Sequence, residues 1–341
     1  MQPSAPNPSP NISTPPYYAI TTIPGKGKGV IATQKIPRGT RLLSEAPLFT
    51  VRRLTTIHST ATLNQQIAKK VKDLPKESQH AFFALHNAHG KQKYGGVFLG
   101  IAKTNALPLG AGDDVALGGI FLEASRINHA CMSNAQNTWN EALGKLMIHA
   151  CKDIEEGEEI TISYLSKMET HAKRQQELRD TFGFECRCAM CEVEPEKRQE
   201  SDARIAEIAR LDALVGDGMS IIQTPLSCLH NAEKMLRLLE ELGCTDARIA
   251  GVYYDALQIA IANGDQARAK VFAERACDER VVLEGEDSSE VERLGGLVRR
   301  PDSHRLYGTN MRWRSNLKGI PVGLEEGKFE EWVWKKGGRK T

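Results

Sequence analysis

The sequence predicts an α+β protein: a β-rich domain of short strands with a helical insert, then a cysteine knot, then an α-helical domain. Three observations carry this prediction. Short apolar runs broken by Gly and Pro fill the stretch from Tyr18 to Val51 and recur up to Tyr164, which is strand-and-turn text. Beyond Pro195 the apolar residues recur at helical spacing almost without interruption. Between these regions stands Cys186-x-Cys188-x-x-Cys191, whose thiols are too close together to pair comfortably among themselves and favour a metal.

Composition narrows the function classes. A chain of 341 residues with 40% hydrophobic and 26% charged content can build a full core and, by length, about two or three domains. Lys+Arg at 45 against Asp+Glu at 43 leaves +2, so no whole-protein field drives the chain onto nucleic acid or an anionic membrane. No apolar run approaches the roughly 18 residues of a membrane span, and no basic stretch followed by an apolar core opens the chain. A nuclear and/or cytoplasmic protein that is not secreted is expected, with Cys151, Cys228, Cys244 and Cys277 as ordinary buried thiols.

Along the chain, residues 1–16 are rich in Pro, Ser and Asn and are expected to form a disordered tail. Strand signals follow at Tyr18-Ala19-Ile20, Val30-Ile31-Ala32, Leu42-Leu43 and Leu48 to Val51. Leu63, Ile67, Val71 and Leu74, then Ala81, Leu85 and Ala88, fall at helical spacing and predict a helical insert over about 55–93. Strands are expected again at Val97 to Ala102, Gly119 to Leu122, Ala135 to Trp139, Lys145 to Ala150 and Glu159 to Tyr164.

The helical part shows two stripes, Ile205, Ile208, Leu211 and Leu214, then Leu229, Ala232, Leu236 and Leu239, which read as bundle core. Asn263-Gly264-Asp265 joins two helices, about Thr245 to Asn263 and Asp265 to Glu284, in a hairpin of tetratricopeptide size. Gly264 suits a helix C-terminal turn and Asp265 an N-cap. So few helices make no free solenoid, and the unit is expected to pack on the β-rich domain. In the tail, Arg312-Trp313-Arg314 and Trp332-Val333-Trp334 are expected to dock on the helices rather than stack on nucleic acid bases.

Four blocks carry the chemistry. Gly25-Lys26-Gly27-Lys28-Gly29 lacks the Lys-Ser/Thr ending of a phosphate-binding loop, so its glycines are read as allowing close backbone approach to a ligand. Arg126-Ile127-Asn128-His129-Ala130-Cys131-Met132-Ser133-Asn134 is a polar turn. Gly157-Glu158-Glu159-Ile160-Thr161-Ile162-Ser163-Tyr164 ends in a phenol. The fourth block, thiol-rich Phe184 to Cys191, supplies three of the four ligands that structural zinc requires, so a fourth must come from elsewhere.

In this order the blocks resemble a SET-domain protein lysine methyltransferase with its post-SET zinc segment, over residues 17–192. The helical C-terminal domain resembles that of the SET-and-MYND group. The MYND finger is lacking, because Arg52 to Gly96 contains no cysteine, as in a fungal-type relative. The resemblance implies a SET domain at 17–166, a post-SET zinc segment at 167–194, a helical domain at 200–300 and a basic, aromatic tail at 301–341. It implies Cys131 as the fourth zinc ligand beside Cys186, Cys188 and Cys191. It also implies that S-adenosyl-L-methionine is held by the Gly27/Gly29 turn with Lys28 and Lys26, by Asn128 and His129, and by Asn105 of a Thr-Asn element. Phe184 would stack on the adenine or serve as core beside the zinc, and Tyr164 would line the same pocket as the catalytic residue.

The implied activity is S-adenosylmethionine-dependent protein-lysine N-methylation, with a histone or non-histone protein as substrate. Lysine's pKa of about 10.4 leaves roughly one part in a thousand neutral near pH 7.4, a cost of about 4 kcal/mol that an apolar channel and an adjacent sulfonium would offset. Tyr164 is expected to position the amine rather than act as a strong base. Three residues depart from the family pattern: Ala130 lacks a hydroxyl, Ser133 lacks a rigid turn, and Phe182 stands where a tyrosine is common. The alternative reading is a catalytically silent SET scaffold that binds a protein partner through its helical domain. Neither reading calls for a membrane or for direct nucleic acid binding.

Overall fold

The computed structural model describes residues 17–52, 59–90, 96–110 and 117–336, so the expected tail at 1–16 lies outside the described residues. Strands β1 (Tyr18–Ile23), β2 (Gly27–Ala32), β3 (Arg41–Glu45) and β4 (Phe49–Arg52) come first. Helices α1 (Thr60–Lys72), α2 (Lys76–Phe83) and α3 (Val97–Asn105) follow. Next are β5 (Leu107–Pro108), β6 (Leu117–Ile120), β7 (Asn128–His129), β8 (Ala135–Asn140), β9 (Lys145–Ala150) and β10 (Glu159–Ile162). The rest is helical: α4 (His171–Phe182), α5 (Pro195–Val215), α6 (Gly218–Gln223), α7 (Pro225–Glu241), α8 (Ala247–Ala262), α9 (Gln266–Glu284), α10 (Ser289–Arg299) and α11 (Glu326–Val333).

Three small sheets form, ordered β1-β2-β10-β7, β3-β9-β8 and β4-β6-β5. In the first, β1 and β2 make a hairpin, and Gly25 and Gly27, both at φ 74°, supply left-handed backbone that a side chain would strain. β10 pairs antiparallel with β2 on one side and parallel with β7 on the other, with Thr161 opposite Asn128 and Ile162 opposite His129. That parallel register brings the polar turn to the end of the strand that leads to Tyr164. Val30, Ile36, Ile148, Ile154, Ile160 and Ile162 are buried behind it as one core.

The run expected as a strand at Val97 to Ala102 is helix α3 instead. Leu99, Gly100, Ile101 and Ala102 are all buried, so the run has no exposed face to reveal a period, and short apolar runs read alike as strand or helix. Gly100 also lies close to Asn87, whose Oδ1 would be 2.7 Å from an added Cβ. The α1 stripe of Leu63, Ile67 and Val71 is buried as expected.

In the C-terminal region Leu229, Ala232, Leu236 and Leu239 are buried, whereas Leu214 is 41% exposed and Val215 takes its place in the core. A 3.6-residue period carries the stripe from Leu211 to Val215, which is why Leu214 falls off it. Cys277 is only half-buried, unlike the other three ordinary thiols. Gly264, at φ 81°, ends α8, and the Asp265 carboxylate accepts from the Arg268 amide at 3.3 Å to start α9. The tail closes over this hairpin, with Trp334 buried and its ring 4.9 Å from that of Phe272.

The helices pack on the β-rich region as expected. Arg38 Nη2 pairs with Glu279 at 2.6 Å, Asn140 Nδ2 donates to the Asp287 carbonyl at 2.9 Å, and the Ala247 amide donates to Gln136 Oε1 at 2.9 Å. Among the described residues no helix is long and apolar enough to cross a membrane.

Candidate active site and metal centre

Cys131, at the end of the polar turn, meets Cys186, Cys188 and Cys191, and the four sulfurs all lie within 4.8 Å of one another. Cys131 Sγ is 3.9 Å from Cys186 Sγ and 3.6 Å from Cys191 Sγ. Zn–S bonds of about 2.3 Å at tetrahedral angles put sulfurs about 3.8 Å apart, so the donor set fits a four-thiolate zinc. The mutual hydrogen bonds of the cluster push Cys188 and Cys191 below the ordinary thiol range and Cys131 and Cys186 above it. Thiolate charge gathered on sulfurs this close needs a cation to balance it.

Helix α4 grips this knot from behind. Gln175 donates to the Cys186 carbonyl at 2.8 Å and accepts from its amide at 2.9 Å. Buried Arg174 points Nη2 at Cys191 Sγ, 3.9 Å away, and is a fixed positive charge beside the thiolates. Leu178 fills the space between them. These residues form no sequence motif; only the helix's docking reveals them.

His129 joins the knot to the phenol. Its Nδ1 accepts from the Tyr164 amide at 3.0 Å, so Nε2 carries the proton and faces Cys131 Sγ at 3.4 Å. Burial pushes the imidazole pKa down to about 4, which keeps the ring neutral. The Tyr164 hydroxyl donates to the Ile127 carbonyl at 2.7 Å. Burial, then the Glu159 charge, raises its pKa above the ordinary range, so the phenol stays protonated and its oxygen offers lone pairs. The Tyr164 ring lies 4.9 Å from that of Phe182 and 6.4 Å, edge to face, from that of Phe184.

A second constellation forms where β2, β7 and β10 meet. Glu159 accepts from Lys26 Nζ at 2.6 Å on one oxygen and from Asn128 Nδ2 at 2.9 Å on the other. A Cβ at Gly29 would lie 2.2 Å from Ile23 Cδ1 and 2.6 Å from Asn128 Nδ2, so a side chain there would displace both from this approach. Asn134 fastens the turn beneath, donating to Glu158 Oε1 and the Glu159 carbonyl at 2.9 Å and accepting from the Thr161 amide at 2.8 Å. Glu159 and Asn134 stood inside quoted blocks without a role, and the Gly-Glu-Glu spelling was the available signal for the first.

Not every expected residue joins these groups. Lys28 is exposed on β2, and Gly27 serves the hairpin turn. Asn105, at the end of α3, donates from Nδ2 to the His86 and Ile101 carbonyls, both at 2.7 Å. Its amide hydrogens hold α3, while its backbone carbonyl accepts from Ser125 Oγ at 3.1 Å, three residues ahead of Asn128.

With this geometry in hand, comparison with known proteins is informative. The family model of the SET domain matches residues 27–165, which run from the glycine turn through Tyr164. The histone-lysine N-methyltransferase set5 of Schizosaccharomyces pombe is 34% identical over 310 residues, covering 91% of this chain and 90% of that protein. The chain belongs to the SET-domain family. The human histone-lysine N-methyltransferase SMYD3 is 36% identical over 99 residues, which is 29% of this chain and 20% of that protein. Candida albicans SET5, also named a histone-lysine N-methyltransferase, is 42% identical over 74 residues, 21% of this chain and 15% of that protein. A SET-and-MYND-like member fits both the partial SMYD3 match and the helical C-terminal region.

Proposed function

We propose that this SET-domain chain is an S-adenosylmethionine-dependent protein-lysine N-methyltransferase, acting on histones, with a structural zinc at Cys131, Cys186, Cys188 and Cys191. The carrying observation is the placement of Tyr164. Its phenol is anchored to the Ile127 carbonyl and flanked by Phe182, and it faces a cavity of about 640 Å³, within the usual range for ligand sites. The extended likeness to an S. pombe histone-lysine N-methyltransferase supports the same reading.

S-adenosylmethionine, when bound, supplies a methyl group on a positively charged sulfur. Lys26, Asn128 and Glu159 make a charged and polar end suited to its amino-acid part, and Phe184 offers a flat face to the adenine. The chain's own work is to make lysine reactive. Phe182 and the Tyr164 ring give the side chain an apolar sleeve that disfavours the ammonium. The Tyr164 oxygen, its proton held by Ile127, accepts from the amine and orients its lone pair. A protonated phenol cannot act as the base, so the substrate amine loses its proton to solvent before transfer.

The test is incubation of purified protein with methyl-labelled S-adenosylmethionine and core histones. Label on histone lysines is the expected outcome. Tight cofactor binding without transfer to histones or to a proteome extract would instead leave a silent SET scaffold. Nuclear residence, expected of a histone enzyme, is checked by imaging the tagged protein.

A further inference from the structure

Helix α4 buries a cation that has no carboxylate of its own. Arg174 is 3% exposed, and it donates to the Glu169 carbonyl at 2.5 Å and toward Cys191 Sγ at 3.9 Å rather than to an acid. Its Nε is buried with no hydrogen-bond partner among the described residues. The neighbouring cations of the same helix do find acids, Lys173 at Glu169 and Arg179 at Glu185. A guanidinium cannot shed its proton to escape burial, so Arg174 needs negative charge beside it.

The thiol cluster has the opposite need. Four thiolates around one Zn²⁺ leave two negative charges, and Cys131, Cys186 and Cys191 are all 6% exposed or less, so water screens them poorly. The other side chains that reach the knot bring no charge to a sulfur. His129 Nε2, 3.4 Å from Cys131 Sγ, belongs to a neutral ring, and Gln175 bonds the Cys186 backbone. Arg198 of α5 also comes to Cys191, but its Nη2 donates to the carbonyls of Cys191 and Val193, both at 3.1 Å. Cys191 is thus held by two arginines, one at its carbonyl and one at its sulfur.

Resting on the four-thiolate zinc reading, we propose that Arg174 is the buried counter-charge of the metal centre, a positioning residue that acts through Cys191 to retain zinc and to shield that sulfur from attack. A metal-bound thiolate is already deprotonated, so a positive neighbour does not create the nucleophile; it draws charge off the sulfur and makes it a poorer one. The same attraction opposes loss of the metal, which would leave the guanidinium buried without a partner. Since Phe184 stands two residues before Cys186 with its ring 6.4 Å from that of Tyr164, a retained metal also keeps that aromatic wall beside the phenol.

The test compares the full-length wild-type chain with Arg174→Gln, Arg174→Lys and Gln175→Ala, the last removing two hydrogen bonds to Cys186 without touching charge. Transfer of zinc to a coloured chelator should be about tenfold faster or more in Arg174→Gln, and Arg174→Lys should restore much of the retention. Substituted Co²⁺ reports the sulfur electrons: the sulfur-to-cobalt charge-transfer band should move to lower energy in Arg174→Gln and stay in place in Gln175→Ala, which a purely structural role for Arg174 would not produce. Labelling with limiting N-ethylmaleimide, read by mass spectrometry as the first site hit, needs no variant. Among the three buried thiolates of the wild-type protein, Cys191 should be hit least, and this order decides alone if Arg174→Gln does not fold. Equal zinc release from wild type and Arg174→Gln, equal band shifts in Arg174→Gln and Gln175→Ala, or Cys191 as the first of the buried sulfurs to react overturns the proposal. Wild-type protein without zinc by elemental analysis would remove the metal reading and this proposal together, whereas a full zinc complement released alike by all the proteins would remove this proposal alone.

Discussion

At the scale of single residues, Tyr164 separates catalysis from packing. Its hydroxyl makes one bond, to the Ile127 carbonyl, and its ring packs on Phe182 and Phe184. Tyr164→Phe keeps that packing and removes the oriented oxygen, so methylation should slow by roughly 10²-fold while the fold and cofactor affinity persist. A wild-type rate on an established substrate would rule out the positioning role. Phe182 sharpens the measurement because it brings no second hydroxyl to that wall. The thiol cluster makes a second residue-scale prediction. Cys188→Ser leaves three thiolates for a metal that wants four, so elemental analysis should find well under one zinc per chain. Retention of full zinc would refute the ligand set. These residues stood out in the sequence because their types are chemically demanding, whereas Arg174 and Gln175 are common polar residues that only the packing of α4 singles out.

At the scale of elements, α8 shows how burial overrides ordinary ionisation. Asp255 stands on α8, and burial, then the charge of Asp212 on α5, push its carboxyl up to about 7. The folded state therefore holds a proton that the unfolded chain releases near pH 4. Stability from this group is full below that pH and is lost as pH rises through 7, a swing of about 4 kcal/mol at most. Urea melts should show wild-type stability falling between pH 4 and 8 and a flatter profile for Asp255→Asn. Equal pH slopes for the two proteins would remove Asp255 from the account. The same helices were readable in advance, since Gly264 and Asp265 punctuate them and their stripes recur at helical period. Helix α3 was not, because Leu99 to Ala102 are all buried and Val97 and Phe98 half-buried, so the run has no polar face to show a period.

At the scale of the molecule, the β-rich region and the helices meet through a polar seam. Arg41 pairs with Asp287 and donates from Nε to His149 Nε2 at 3.1 Å. Gly285 sits against both, since an added Cβ would lie 3.2 Å from His149 Nε2. Burial, then the Arg41 charge, push His149 down to about 4, while Asp287 pulls weakly the other way. The neutral ring contributes stability that is present above pH 6.5 and lost as pH falls toward 4, about 3 kcal/mol in all. Acid should therefore loosen the seam, seen as earlier proteolysis or hydrogen exchange at β9 and the α9–α10 junction. His149→Gln, which cannot titrate, should show little change in that region over the same pH range. An identical acid response in both proteins would place the weak point elsewhere.

The sequence by itself determined the fold class, the period of most elements, the glycine turn and the chemical inventory of thiols, phenol, Asn and His, because each rests on local spacing or on a residue type with few uses. Only the tertiary structure decided which of these meet. The parallel register of β7 on β10 carries His129 to Tyr164 and Asn128 to Glu159, and the docking of α4 brings Cys186, Cys188 and Cys191 to Cys131. Asn105 ends α3 with its side-chain amide on the His86 and Ile101 carbonyls, a partnership no local spelling records. The physical reason is that contacts between segments far apart in the chain are set by how buried faces fit, and no local pattern records the partner a face will find.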